Sequence, residues 1–202
     1  VSVSAGGYHS LALKSDGSII GWGSDYSNQS SIPNNLPTAK AISAGWLHSL
    51  ALLPNGTVEA WGHNNYDQCD VPEGLSEVVW VETGSYHSLA LKSDGTVVAW
   101  GRNNYDQSDV PEGLSDVIAI EAGNYHSLAL KSDGTIVGWG MNVYEQLIMP
   151  EEIYNLVYCD DDGTILDCDG ECGGTTSVDC AGVCGGTAQD DDCGVCNGGN
   201  AD

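Results

Sequence analysis

An all-β fold is what this 202-residue sequence predicts: a partial β-propeller of four three-stranded blades, followed by a small irregular Cys-rich tail. Three observations carry that expectation. His9, His48, His87 and His126 are each 39 residues apart, and so are Trp22, Trp61, Trp100 and Trp139. Gln29, Gln68, Gln107 and Gln146 keep the same step, as do Pro33, Pro72, Pro111 and Pro150. A constant period without insertion marks one supersecondary unit used four times. Composition is the second observation, because 27 Gly with no Phe points to a turn-rich β protein, and no segment sustains the 3.6-residue period of a helix. The third is a burial argument. Three short strands cannot cover both faces of their own sheet, and stacking the sheets radially solves this. The competing linear β-solenoid generally uses shorter coils.

The units run 1–39, 40–78, 79–117 and 118–156, and the last shows the elements most clearly. Ile118-Ala119-Ile120 starts the first strand, which ends at the small pair Ala122-Gly123. His126-Ser127-Leu128-Ala129-Leu130 is the second, with Leu128 and Leu130 on one face and Ser127 and Ala129 on the other. The small face lets a neighbouring sheet approach, while the Leu face fills the space between sheets. Ser132-Asp133-Gly134 is a hairpin turn, Gly supplying the positive φ. The third strand returns over Thr135 to Gly140 and carries Trp139, and the stretch holding Gln146 and Pro150 crosses to the next unit.

The run Ala122-Gly123-Asn124-Tyr125-His126-Ser127-Leu128-Ala129-Leu130-Lys131-Ser132-Asp133-Gly134-Thr135, followed by Trp139-Gly140, resembles the regulator of chromosome condensation repeat family. The resemblance covers all four units. It is not of the WD-repeat type, because Trp-Gly stands where Trp-Asp is required. The short unit is more similar to a bacterial branch that includes a propeller-type β-lactamase inhibitory protein. That likeness implies three-stranded blades and a seven-bladed ring, of which four units fill an arc. Such an arc leaves an end face wet, and each buried Leu is worth about 1.5–3 kcal/mol, so further repeats or self-association are expected to complete it. The chain opens at Val1 with no leader pattern, as expected of a mature form or a fragment.

The pattern breaks after residue 156. The tail, 157–202, holds 11 acidic side chains, no Lys or Arg, and seven of the eight Cys. Cys168, Cys180 and Cys193 form one spaced series, Cys172, Cys184 and Cys196 another, and Cys159 precedes both. With few large apolar residues the tail needs cross-links or metal to become ordered. Disulfides are the expected answer and imply an extracellular location, secreted or at a cell surface. A zinc site is the weaker reading, since the tail has no His and its spacings repeat instead of converging. The odd thiol requires either Cys69 or a truncated repeat. Asp160, Asp162, Asp167 and Asp169 are expected ligands for Ca²⁺, two of them preceding Gly on tight turns. A solvated acidic linker is the alternative, because no full ligand loop is present. No cofactor is required by any motif.

Charge narrows the function. Lys+Arg total 5 against 29 Asp+Glu, a net charge of −24. Phosphate backbones need clustered cations, so nucleic acid is excluded as a partner. No apolar run reaches a membrane span, so membrane insertion is not expected. The four periodic His could ring a channel and hold a metal, but the expected role is one structural hydrogen bond to a neighbouring backbone, repeated in every unit. Asp16, Asp94 and Asp133, with Asn55 in the second unit, belong to hairpin turns. His63 stands alone and is expected at the surface.

Aromatics are the most informative candidates. Tyr8, Tyr86 and Tyr125 precede the His directly, with Trp46 one place earlier in the unit that has Leu47. Tyr66, Tyr105 and Tyr144 recur in the crossing loop, and Tyr26 is one register short. Equivalent loops share one face of a propeller, so these residues are expected to form arcs of partner-binding side chains. Packing between blades as core is the other role open to them. In the similar inhibitory protein the aromatic before the His belongs to the partner-binding face, and Leu47 departs from that pattern. The expected function is therefore a secreted or surface-attached, non-catalytic module binding a protein or glycan. The competing readings are an extracellular polysaccharide hydrolase or lyase, and guanine-nucleotide exchange, which the Cys-rich tail opposes.

Overall fold

In a computed structural model, residues 1–150 are described, together with two short strands further along the chain. Four three-stranded antiparallel sheets follow one another. The first contains β1 (Ser2–Ala5), β2 (His9–Leu13) and β3 (Ile19–Gly23). The second contains β4 (Ala41–Ala44), β5 (His48–Leu52) and β6 (Val58–Gly62). The third contains β7 (Val78–Thr83), β8 (His87–Lys92) and β9 (Val97–Gly101). The fourth contains β10 (Val117–Ala122), β11 (His126–Lys131) and β12 (Ile136–Gly140). Residues 1–132 and 136–149 form one compact unit. A second unit takes in residues 150–202, where β13 (Gln189–Asp190) pairs antiparallel with β14 (Cys196–Asn197). The expected calcium ligands Asp160, Asp162, Asp167 and Asp169 lie outside the described residues, as do Cys159, Cys168, Cys172, Cys180, Cys184 and Cys193; the backbone of Cys196 belongs to β14.

Each hairpin between the second and third strands is closed as its sequence requires. Asp16, Asn55, Asp94 and Asp133 accept the backbone N–H two residues on, at 2.9, 3.1, 3.0 and 2.9 Å. The Gly that follows takes φ of 79–82° at Gly17, Gly56, Gly95 and Gly134, a left-handed conformation that a β-carbon disfavours.

The core lies between blades. Leu11 and Leu13 meet Ala51 and Trp61 of the next sheet, Leu50 and Leu52 meet Ala90 and Trp100, and Leu89 and Leu91 meet Ala129 and Trp139. The alternation along His-Ser-Leu-Ala-Leu thus gives every blade a bulky leaving face and a small receiving face. The central strands β5 and β8 are buried on both sides over all five of these residues. In β2 the alternation reappears, with His9, Leu11 and Leu13 buried and Ser10 and Ala12 only half-buried. Trp22 tells the same story: it is 51% exposed, whereas Trp61, Trp100 and Trp139 are 7, 7 and 6% exposed. Its face is the one that a preceding blade covers elsewhere.

A polar relay crosses each interface inside this apolar contact. Nε2 of His9, His48 and His87 lies 2.8, 3.1 and 3.0 Å from Oγ of Ser49, Ser88 and Ser127 in the next blade. Each Ser hydroxyl donates onward to the main-chain carbonyl of Gln29, Gln68 or Gln107, at 2.8, 3.0 and 2.9 Å. A hydroxyl has one proton, so the histidine supplies the other and carries its own on Nε2. The same carbonyls accept the indole N–H of Trp61, Trp100 and Trp139 at 3.0, 2.9 and 2.9 Å. The histidines are therefore structural, but their partner is a neighbouring side chain, where a backbone group was expected. Ser is small enough to stand between the imidazole and that backbone and serve both.

Burial holds these imidazoles neutral. It pushes His48 down to about 3 and His87 down to about 4, with neighbouring histidines adding to the effect, and it also lowers His9 and His126.

Two outcomes test the relay. In the unfolded chain the histidines titrate near 6.5, above their folded values, so the unfolded state binds more protons in the interval between. Stability should be complete above pH 6.5 and fall as pH drops toward 4, at roughly 1 kcal/mol per pH unit for each fully buried histidine; urea midpoints across that range measure it. Ser88→Ala should cost about 1–3 kcal/mol by leaving buried partners unpaired. Ser10→Ala, at the same register but half-buried and without a histidine contact among the described residues, should be nearly silent in the same denaturation experiment.

Candidate recognition face

Two sets of loops meet at one end of the blades. The first connects the first and second strands, and its entry is always Gly: Gly6, Gly45, Gly84 and Gly123. A β-carbon on Gly45 would lie 2.6 Å from Cε1 of His48 and 2.6 Å from the carbonyl oxygen of Gly84 in the next blade. Only glycine allows that approach, which brings adjacent loops together; the N–H of Gly7 donates to the Gly45 carbonyl at 3.0 Å. The second set leaves the third strand and carries the periodic Gln. The residue before each Gln adopts a left-handed backbone, with φ of 59, 60, 60 and 61° at Asn28, Asp67, Asp106 and Glu145. The Gln side chain then turns back to accept an N–H within its own loop, from Ser27, Tyr66, Tyr105 or Tyr144 at 2.8–2.9 Å.

These loops bring most of the expected aromatics together in pairs. Tyr66 of one crossing loop meets Tyr86 of the next blade edge to face, centroids 5.3 Å apart. Tyr105 and Tyr125 repeat the arrangement at 5.5 Å. Where Leu47 interrupts the pattern, Trp46 turns to Tyr8 of the preceding blade, 5.3 Å away and nearly perpendicular. Tyr144 is 81% exposed with no aromatic contact among the described residues, and Tyr26 stands 99% exposed, away from the pairs. None of these residues belongs to the interface cores. A shallow depression of about 290 Å³ adjoins the row, lined by Gly7, Trp46, Ser85 and Asn124 among others.

Two residues of the face escaped the sequence reading. His63 is not isolated: its ring lies 6.2 Å from Tyr66 and 6.0 Å from Tyr86, and Nδ1 accepts the Gln68 amide at 2.9 Å. Arg102 places its guanidinium carbon 4.9, 5.6 and 5.4 Å from the ring centres of Tyr66, Tyr86 and Tyr125. It thereby joins the two tyrosine pairs into one row, each ring attracting the cation through its π face. Both residues share the register that also holds Ser24 and Met141. A position that varies among four otherwise similar units is a signal available in the sequence. Burial, then the neighbouring Tyr125 and Tyr66, raises the Tyr86 phenol above its usual value, with Arg102 opposing.

Cys69 occupies the place that Ser108 holds in the next loop. Its thiol reaches the His63 carbonyl at 3.3 Å, as the Ser108 hydroxyl reaches the Arg102 carbonyl at 3.1 Å. Burial, with Asp70 beside it, pushes the thiol up to about 12, which makes it a poor nucleophile at neutral pH. Among the described residues no group of three or more His, Cys, Asp or Glu is arranged to hold a metal ion, and no helix is long and apolar enough to cross a membrane.

Comparison with known proteins follows the same blades. A sequence profile described as the regulator of chromosome condensation (RCC1) repeat matches residues 1–29, 39–68, 78–107 and 117–146. No curated protein matches the chain. Among solved structures, Prp20p from Saccharomyces cerevisiae is 25% identical with a TM-score of 0.64, over 85% of this chain and 49% of that one. Human WBSCR16 is 25% identical with a TM-score of 0.60, over 72% of this chain and 49% of its own. The CRINKLY WD40 ectodomain of the Arabidopsis thaliana receptor kinase ACR4 is 26% identical with a TM-score of 0.59, over 69% and 50%. The chain thus spans about half the length of these structures. With the profile repeated once per blade over more than half its residues, this chain belongs to the RCC1 repeat family.

Proposed function

We propose that this chain is a non-catalytic binding module that recognises a protein through the aromatic face and acts outside the cell. The observation that carries the reading is the continuous row from Tyr66 through Tyr86, Arg102 and Tyr125 to Tyr105. Tyr and Arg are enriched where partners bind, because each offers large contact area, and tyrosine has few rotamers to freeze. Here the rings already brace one another, so little ordering remains to be done on association. The relatives support a protein partner: Prp20p is described with binding to Gsp1p and histones, and yeast RCC1 was solved bound to Kap60. The extracellular setting rests on the Cys-rich acidic tail, and receptor-kinase ectodomains from plants share the fold. A net charge of −24 disfavours nucleic acid.

The test compares capture of proteins from the extracellular fraction of the source cells by the parent chain and by Tyr86→Ala/Tyr125→Ala. Neither ring belongs to an interface core, so the thermal midpoint should change little. Removing two central anchors at about 2 kcal/mol each should reduce specific capture at least tenfold. Equal capture by both forms refutes the assignment of this face.

A further inference from the structure

We infer that Arg102 is the anchor of the recognition face and takes a carboxylate side chain of a protein partner, so that the motif recognised is acidic. The inference deepens the proposed function and rests on the same face, but it stands on its own observations.

The first is placement. Arg102 is the only arginine in a chain with 29 acidic residues. Among the described residues no carboxylate pairs with it, whereas Lys14 and Lys92 each pair with an acid of their own hairpin, and Lys92 also with Glu77 just before β7. In its own loop Asp109 is otherwise engaged, accepting the Asn103 amide at 2.7 Å.

The second is a local defect that the arginine creates. At the same register in the first two blades, Ser24 and His63 accept the amide of the following Gln, at 3.3 and 2.9 Å. An arginine has no acceptor to offer. Gln107 is fully buried, and its Nε2 has no partner. A buried unpaired amide costs about 1–3 kcal/mol, and a local inconsistency of that kind is expected at functional positions.

The third is geometry. Nε of Arg102 is buried without an acceptor, while the two Nη amines, which also lack partners, are not buried. The three rings have therefore already removed part of the guanidinium's water and left one edge open. An incoming carboxylate gains charge-assisted hydrogen bonds there without desolvating the whole cation. A sugar acid fits less well. Tyr66 and Tyr86 meet at 70° and Tyr105 and Tyr125 at 65°, and the faces of Tyr66, Tyr86 and Tyr125 are taken by the cation, so they present no flat platform on which a pyranose could stack.

A single arginine gives a single Nε–Hε resonance, and its burial slows exchange with water, so the full chain can be titrated directly by NMR. The probes are acetyl-Gly-Asp-Gly-amide, its Asn counterpart and methyl glucuronide, all at constant ionic strength. The Asp peptide should move the resonance saturably and at least about tenfold more tightly than the Asn peptide, and Arg102→His should abolish the accompanying shifts of the Tyr66 and Tyr86 ring protons. A resonance that stays still, or that responds equally to Asp and Asn, overturns the proposal. Response to the glucuronide but not to the Asp peptide also overturns it, in favour of an acidic glycan. If Arg102 is silent while Tyr86→Ala/Tyr125→Ala still abolishes capture, the face remains a recognition site and only its anchor has been misassigned.

Discussion

One main-chain oxygen per crossing loop holds consecutive blades together. The Gln68 carbonyl accepts a hydroxyl from Ser88 and an indole N–H from Trp100, twenty and thirty-two residues further along the chain. Gln29 and Gln107 repeat this with their own successors. Two donors fill both lone pairs of a buried acceptor, and neither donor belongs to the blade that supplies it. The left-handed residue before the Gln, the neutral histidine and the invariant Trp-Gly all follow from the need to deliver that oxygen into an apolar interface. Because the contact is made anew at each step, stability is carried by neighbour-to-neighbour coupling more than by any sheet alone.

Scaffold and face are joined at the same side chain. The Gln whose carbonyl reaches the next blade also uses its amide oxygen to fix the Tyr66 or Tyr105 backbone. The aromatic pairs are thus registered by the residues that clamp the blades. Arg102 departs from this economy, since it leaves the Gln107 amide without a partner and joins two tyrosine pairs instead.

Much of this was legible before any coordinates. The 39-residue step identified the blades, and the His-Ser-Leu-Ala-Leu alternation separated a bulky face from a small one, because a strand turns every second side chain the same way. Tyr8, Trp46, Tyr86 and Tyr125 could be placed on one end of the blades by register alone. What register could not supply was direction across the interface. Whether the histidine met a backbone or a hydroxyl depends on distances between chain segments forty residues apart, and periodicity carries no distances. His63 and Arg102 were passed over for a related reason. Repeats draw attention to what recurs, whereas these two stand where the units differ, and their meaning rests on the tyrosines that surround them.

The two sides of a blade are unlike, and the exposed Trp22 and the half-buried Ser10 and Ala12 of the first sheet belong to the receiving side. Anything that docks there in the manner of the internal contacts must present a leaving side, so the join has polarity. A contact of that kind is heterologous: it cannot be satisfied by a two-fold pair, and it either closes into a ring or continues head to tail. Assembly through this edge, wherever it occurs, is directional by construction.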